Sequence, residues 1–355
     1  MSVAVASWSG RWLGVWTRAV VVPAWRRGAA TWVGCALVAA VIFGPTGMQP
    51  EDLTGLARHD VGVGAVLTAV WLLLFVPTAR LIVRPNMRYL DSLPGAPGAA
   101  RLVGAAALVG LQLPWLSLWL AGDGASGLGA VAATTVIAAA LARIELPPRR
   151  TRPPVWRTGV GALFAVHRRA LWRRASDALL RGVGLSILAG GAAALLVRNN
   201  ELTGAAAGTL GASVMAVMLV PAQLGAGLVA LLTHRESAWL AQASGISRQA
   251  RIAALVYTVA AVHLGAAAIA VAVAIVVAGA NASLAMIMAG VAVGTALGEV
   301  RAMLVHEASP TASARIVMGA VVAAAAAVLC LAVFGAAGAV AIVALGLAAL
   351  LMVKP

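Results

Sequence analysis

Long apolar runs rich in Ala, Leu, Val and Gly, separated by short polar or Pro-containing segments, set the pattern of this chain. Runs at about 28–44, 61–79, 102–121, 126–142, 182–197, 205–232, 252–277, 281–300, 316–334 and 336–353 each approach the roughly 20 residues that carry a helix across a hydrocarbon layer. They are continuous and do not alternate apolar with polar positions as the strands of a membrane barrel do. The expected fold is therefore all-α: a polytopic integral membrane protein of about ten transmembrane helices. Glu51, Asp52 and Asp60 fall in what reads as a polar loop between the first two spans.

Two stretches are amphipathic instead. From Trp8 to Trp25, the tryptophans at 8, 12 and 16 share one helical face with Arg11 and Arg18 opposite, as in a helix lying in the membrane interface, and Pro23 is expected to end it. Residues 162–181 repeat the pattern, with Arg169, Arg173, Asp177 and Arg181 every four positions and Phe164, Leu171 and Ala178 on another face. Between the halves, Pro147, Pro148, Pro153 and Pro154 lie among Arg149, Arg150 and Arg152, a composition that neither buries nor holds a helix. The domains expected are a first membrane repeat over 1–142 with four spans, a Pro/Arg-rich linker over 143–160, and a second repeat over 161–355 with six.

Composition agrees with lipid as the surrounding medium. The chain is 62% hydrophobic and 10% charged, against about 45–50% and about 25% in soluble domains. A net charge of +15 would suggest nucleic acid in a soluble protein, but here the basic residues lie between apolar runs; membrane lipid is the expected partner and nucleic acid is not. With the N-terminus inside, all of the 26 Lys and Arg residues except Arg58 and Arg198 fall on the cytoplasmic side, which points to a bacterial inner membrane with both termini cytoplasmic. Cys35 and Cys330 both sit in apolar runs, so neither a disulfide framework nor a cysteine metal site is expected. The Trp-rich start lacks the layout of a secretory signal peptide.

An internal repeat organises these parts. Tyr89-Leu90-Asp91-Ser92-Leu93-Pro94-Gly95, followed by Arg101, matches Trp239-Leu240-Ala241-Gln242-Ala243-Ser244-Gly245, followed by Arg251, at a constant offset. Each follows the second span after an amphipathic helix, giving two parallel repeats, four spans plus six. The order of elbow helix, two spans, short basic helix and further spans resembles the permease subunits of type-two ABC exporters. The resemblance covers 162–355 fully and 8–142 over four spans.

It implies short cytoplasmic coupling helices, carried by Arg84, Arg88, Tyr89, Leu90, Leu93 and Pro94 in the first half and by Arg235, Glu236, Trp239, Leu240, Gly245 and Ile246 in the second. Asn86 stands where the second half has Glu236. It further implies a separate ABC-type ATPase subunit that binds ATP and Mg. This chain has no Gly-rich phosphate loop, and Lys354 is its only lysine, so no cofactor and no catalytic residue are assigned to it. A single-chain pseudo-dimer, a homodimer and pairing with a second permease all remain open.

His263 is the sharpest candidate outside the repeat, because a titratable side chain in mid-span is costly and often lies on a substrate or proton path. No carboxylate or second His is expected beside it within the spans. Gln112 and Gln223 are its closest polar companions in other spans, where they either line a translocation path or simply bridge helices. Gly290, Gly294 and Gly298 are expected to pack helices closely, and Pro114 and Pro221 to interrupt them. No metal site is expected, since His234 with Glu236 and His306 with Glu307 lack ligand spacing. The alternatives from other classes are a gradient-driven secondary transporter and a lipid-modifying membrane enzyme or scaffold.

Overall fold

The computed structural model describes residues 12–44, 48–83, 97–144, 159–199, 201–278, 282–305 and 312–352. These residues are helical almost throughout, with no strand among them. They cluster into two units, 1–36 with 48–148 and 37–47 with 149–355. Among the described residues six stretches are long and apolar enough to cross a membrane: Val61–Val83, Leu113–Ala142, Ser176–Val197, Arg248–Val277, Ser283–Val305 and Ala314–Leu351. A seventh arises if Gly204–Leu219 and Gln223–Glu236, bent by 56°, form one span. The sequence places Pro221 at that bend, where its missing amide hydrogen removes a bond that would keep the turn straight.

Helix α1 (Val22–Ile42), which belongs to the first unit as far as residue 36 and to the second beyond it, begins after a π turn at Thr17–Val21. Pro23 therefore does not end the first helix as expected, because the widened turn just before it relieves the clash between its ring and the preceding carbonyl. The expected polar loop is helix α2 (Pro50–His59). The Gln49 amide donates to Asp52 Oδ2 at 3.0 Å in a capping box, Pro50 occupies the first turn, and Glu51 and Asp52 oppose Arg58 and His59 along the helix dipole. Polarity in this segment marks a capped helix.

Helices α3 (Val61–Val83), α4 (Pro97–Leu111), α5 (Leu113–Asp123) and α6 (Leu128–Ala142) complete this unit. The break before α5 lies at Gln112, two residues from Pro114. The Leu113–Ala142 stretch folds back on itself: Gly124 has φ +58, and a Cβ at Gly127 would lie 2.6 Å from the Trp119 carbonyl oxygen. Such an approach requires the chain to reverse.

The second unit begins with α7 (Gly159–Arg174) and α8 (Ser176–Asn199), with a bend at Ala175. The amphipathic segment expected over 162–181 is thus divided, its basic part on α7 and its last turn opening the apolar α8. Then come α9 (Gly204–Glu236), the short α10 (Ala238–Ala243), α11 (Arg248–Ala278), α12 (Ala282–Val305), α13 (Ala312–Phe334) and α14 (Gly338–Leu351). The α13–α14 stretch is another hairpin, turned at Gly335 with φ +58, and Gly338 packs directly on the Cys330 backbone.

Helix α9 packs against α7, α8, α11, α12 and α13, and α12 against α9, α11, α13 and α14, so these two form the middle of the bundle. Small residues set the spacing. Gly294 faces Ile342 of α14 and Gly298 faces Ala323 of α13, so the glycine row on α12 packs against two different helices.

Candidate functional site

At one end of the second unit, α9 stops at Glu236 and the chain turns through α10 into α11. Gly245, with φ +66, closes the turn, and the Ile246 amide donates back to the Ala241 carbonyl at 2.8 Å. Ala241 is buried with Leu163 and Ala254, with Val160 and Ile246 packed alongside. That contact pins one face of α10 to α7 and α11. The other face presents Trp239, 70% exposed, and Leu240.

Arg174 Nη1 donates to Glu236 Oε2 at 2.5 Å, tying α7 to the end of α9. Between α7 and α10 runs a groove of about 340 Å³ lined by Arg169, Arg173, Arg174, Glu236, Trp239 and Leu240. The second-half coupling residues Arg235, Glu236, Trp239, Leu240, Gly245 and Ile246 thus all fall on this one helix–turn unit. Their first-half counterparts Arg84, Arg88, Tyr89, Leu90, Leu93 and Pro94 lie outside the described residues.

Deeper in the unit, His263 of α11 is buried, and it has the partner that sequence reasoning missed. Its Nε2 lies 2.8 Å from Glu299 Oε2 on α12, both residues being nearly inaccessible. The expectation of no intramembrane carboxylate beside His263 is therefore wrong. Nδ1 lies 3.4 Å from Thr295 Oγ1, whose own hydrogen goes to the Val291 carbonyl at 2.8 Å. Both ring nitrogens face side-chain oxygens.

The second carboxylate oxygen, Glu299 Oε1, is buried without a hydrogen-bond partner. Gly227 of α9 leaves room for it, since a Cβ there would collide with that atom. Gln223, Gly227, Thr258 and His263 line one tight gap, so Gln223 and His263 do come together. Gln223 Nε2 is also buried without a partner.

The second unit buries another histidine on α7. His167 of α7 sits on the stripe Leu163–His167–Leu171, and its Nδ1 lies 3.1 Å from Thr258 Oγ1. That hydroxyl donates to the Ala254 carbonyl at 2.7 Å, so the imidazole Nδ1–H is the donor in the pair. His167 Nε2 has no partner, and the His234 ring lies 6.1 Å away. Burial, reinforced by His234, lowers the His167 pKa from 6.5 to about 4, so the ring is neutral. A histidine in register with two leucines was the available signal.

Gln112, the third path candidate, belongs to the first unit. Its Oε1 accepts from Trp71 Nε1 at 2.9 Å and its Nε2 donates to Thr135 Oγ1. Trp71 also stacks on Trp115 with ring centroids 5.4 Å apart. No family model, curated protein or solved structure matches the chain.

Proposed function

We propose that this chain is the membrane-spanning permease subunit of an ATP-driven exporter or lipid/drug flippase of the type-two ABC class, powered by a separate ATPase subunit. The observation that carries this reading is α10. It is a short helix between two long apolar ones, buried on its Ala241 side, with Trp239 and Leu240 open beside Arg169 and Arg173. An aromatic and basic patch on a pinned element suits the docking of a partner chain, for which Trp and Arg are favoured anchors.

In this reading α1, α3, the α4–α5 pair and α6 are four spans. The helices α8, bent α9, α11, α12, α13 and α14 are six more, arranged as two parallel repeats in a bacterial inner membrane with both termini cytoplasmic. The test is purification of the tagged full chain from its host in mild detergent. A stoichiometric ATPase with vanadate-sensitive turnover is expected to accompany it and to be lost in Trp239→Glu at unchanged thermal stability. A chain that comes alone, with transport intact in Glu236→Arg, overturns the proposal.

A second reading is favoured by a different observation, the buried His263–Glu299 pair. Ionisable pairs inside a membrane bundle are costly and suit proton or cation coupling. A gradient-driven transporter would work without nucleotide and lose transport in Glu299→Gln.

A further inference from the structure

An apolar cleft of about 340 Å³ lies between α7, α8 and α11 of the second unit, within the roughly 300–1,000 Å³ typical of small-molecule sites. Arg168 and Trp172 stand at its mouth, both exposed. Thr258 and Gln223 lie at the level of α7, because His167 of α7 bonds Thr258. From there the cleft follows α11 past Val262 and Ala266 to Ile269, roughly 16 Å at 1.5 Å per residue.

The polar groups at the head of this cleft are not equivalent. Thr258 has already given its hydrogen to Ala254 and its oxygen takes the His167 N–H. Gln223, 3% exposed, keeps an Nε2 with no partner. A buried amide hydrogen left unpaired is destabilising, so an acceptor brought to it is favoured. The cleft thus combines a cation and an indole at its mouth, an unpaired amide N–H lying just beneath its surface at Gln223, and a hydrocarbon wall beyond.

We infer that this cleft binds an anionic amphiphile, with its head group against Arg168 and its chain lying along α11, a turn of the Gln223 side chain bringing its unpaired Nε2 to an ester or ether oxygen. A wholly apolar ligand would leave Gln223 unpaired, and a small free anion would leave the apolar wall unused. The site rests on the proposed exporter function only for the claim that its occupant is cargo.

The probe is phosphatidylglycerol with a photoactivatable group in its acyl chain, offered to the full chain and any subunit that accompanies it, in phosphatidylcholine nanodiscs. Adducts are expected on residues 261–269, displaced by unlabelled phosphatidylglycerol but not by phosphatidylcholine or inorganic phosphate. Arg168→Gln should weaken that displacement about fivefold, the effect of one interfacial cation. Gly265→Leu, whose added Cβ meets nothing within 4 Å, should block labelling at unchanged thermal stability.

Adducts spread evenly over the outer helices, or equal displacement by phosphatidylcholine, would mean annular lipid and overturn the site; displacement by phosphate would mean an anion site without a chain and also overturn it. Specific adducts with no ATPase subunit would keep the site and remove the exporter. Scattered adducts with the ATPase present would do the reverse.

Discussion

Two buried glutamines show how differently the two units treat polar groups. Gln112 in the first has both ends bonded, to Trp71 and Thr135, and is fully inaccessible. Gln223 in the second is as deeply placed yet keeps an unpaired Nε2. The contrast extends to their surroundings. Buried atoms without partners in the first unit are mainly the indole N–H groups of Trp12, Trp25, Trp115 and Trp119, with Thr31 Oγ1 and Arg80 Nε, whereas in the second they include His167 Nε2, Glu299 Oε1, Gln223 Nε2 and Arg251 Nε. Saturated polar groups hold helices together, while open and titratable ones remain available to a ligand or a proton.

The comparison breaks most visibly at His263. In His263→Ala the Glu299 carboxylate stays buried without its partner, and unfolding stability in detergent is expected to fall by about 3–5 kcal/mol. Adding Glu299→Leu should recover part of the loss, because no polar group of the pair is then left buried without a partner. A loss below about 1 kcal/mol for His263→Ala would mean that the pair does not hold α11 to α12.

Acid should separate the units next. His167 is neutral when folded, with a pKa of about 4, and takes a proton below 6.5 once unfolded. Its folded pKa is depressed, so the stability it contributes is present above pH 6.5 and is lost as pH falls from 6.5 towards 4. At about 1.4 kcal/mol per pKa unit the accumulated loss is on the order of 2–3 kcal/mol. Segment-resolved hydrogen exchange should show it on α7, α9 and α11 and not in the first unit, and His167→Gln should reduce it without abolishing it, because the buried His234 ring 6.1 Å away remains. An equal acid loss in α3 and α6 would assign it to another group.

What the sequence makes legible follows from what lipid demands. A span needs an unbroken apolar run, so the long helices and their all-α class are readable from composition and continuity alone. Breaks are less so. Pro23 looks like a stop because nothing in the letters announces a π turn, and 50–59 looks like a loop because a capping box uses the same polar residues that loops do.

Glu299 falls at the edge of the apolar run at 281–300, where a carboxylate reads as an interfacial end, yet α12 continues to Val305 and holds it inside, against mid-helix His263. The turn after Trp239 was readable, since Gly245 supplies the positive φ that closes it. Gln112 and Gln223 look alike in sequence, because whether an amide finds partners is decided by helices distant along the chain.

That last ambiguity gives the smallest and most discriminating test. Gln112→Leu strands the Trp71 indole N–H and removes the acceptor and donor that join α3 to α6, so a cost of about 1–3 kcal/mol is expected. Gln223→Met conserves volume and deletes a buried N–H that bonds to nothing, so its stability should not fall and is expected to rise by about 1 kcal/mol. Labelling of residues 261–269 by the phosphatidylglycerol probe should respond in the opposite sense, falling in Gln223→Met and persisting in Gln112→Leu. If the two substitutions cost the same stability, Gln223 is a bonded helix bridge like its counterpart, and the second unit holds no open donor at the head of the cleft.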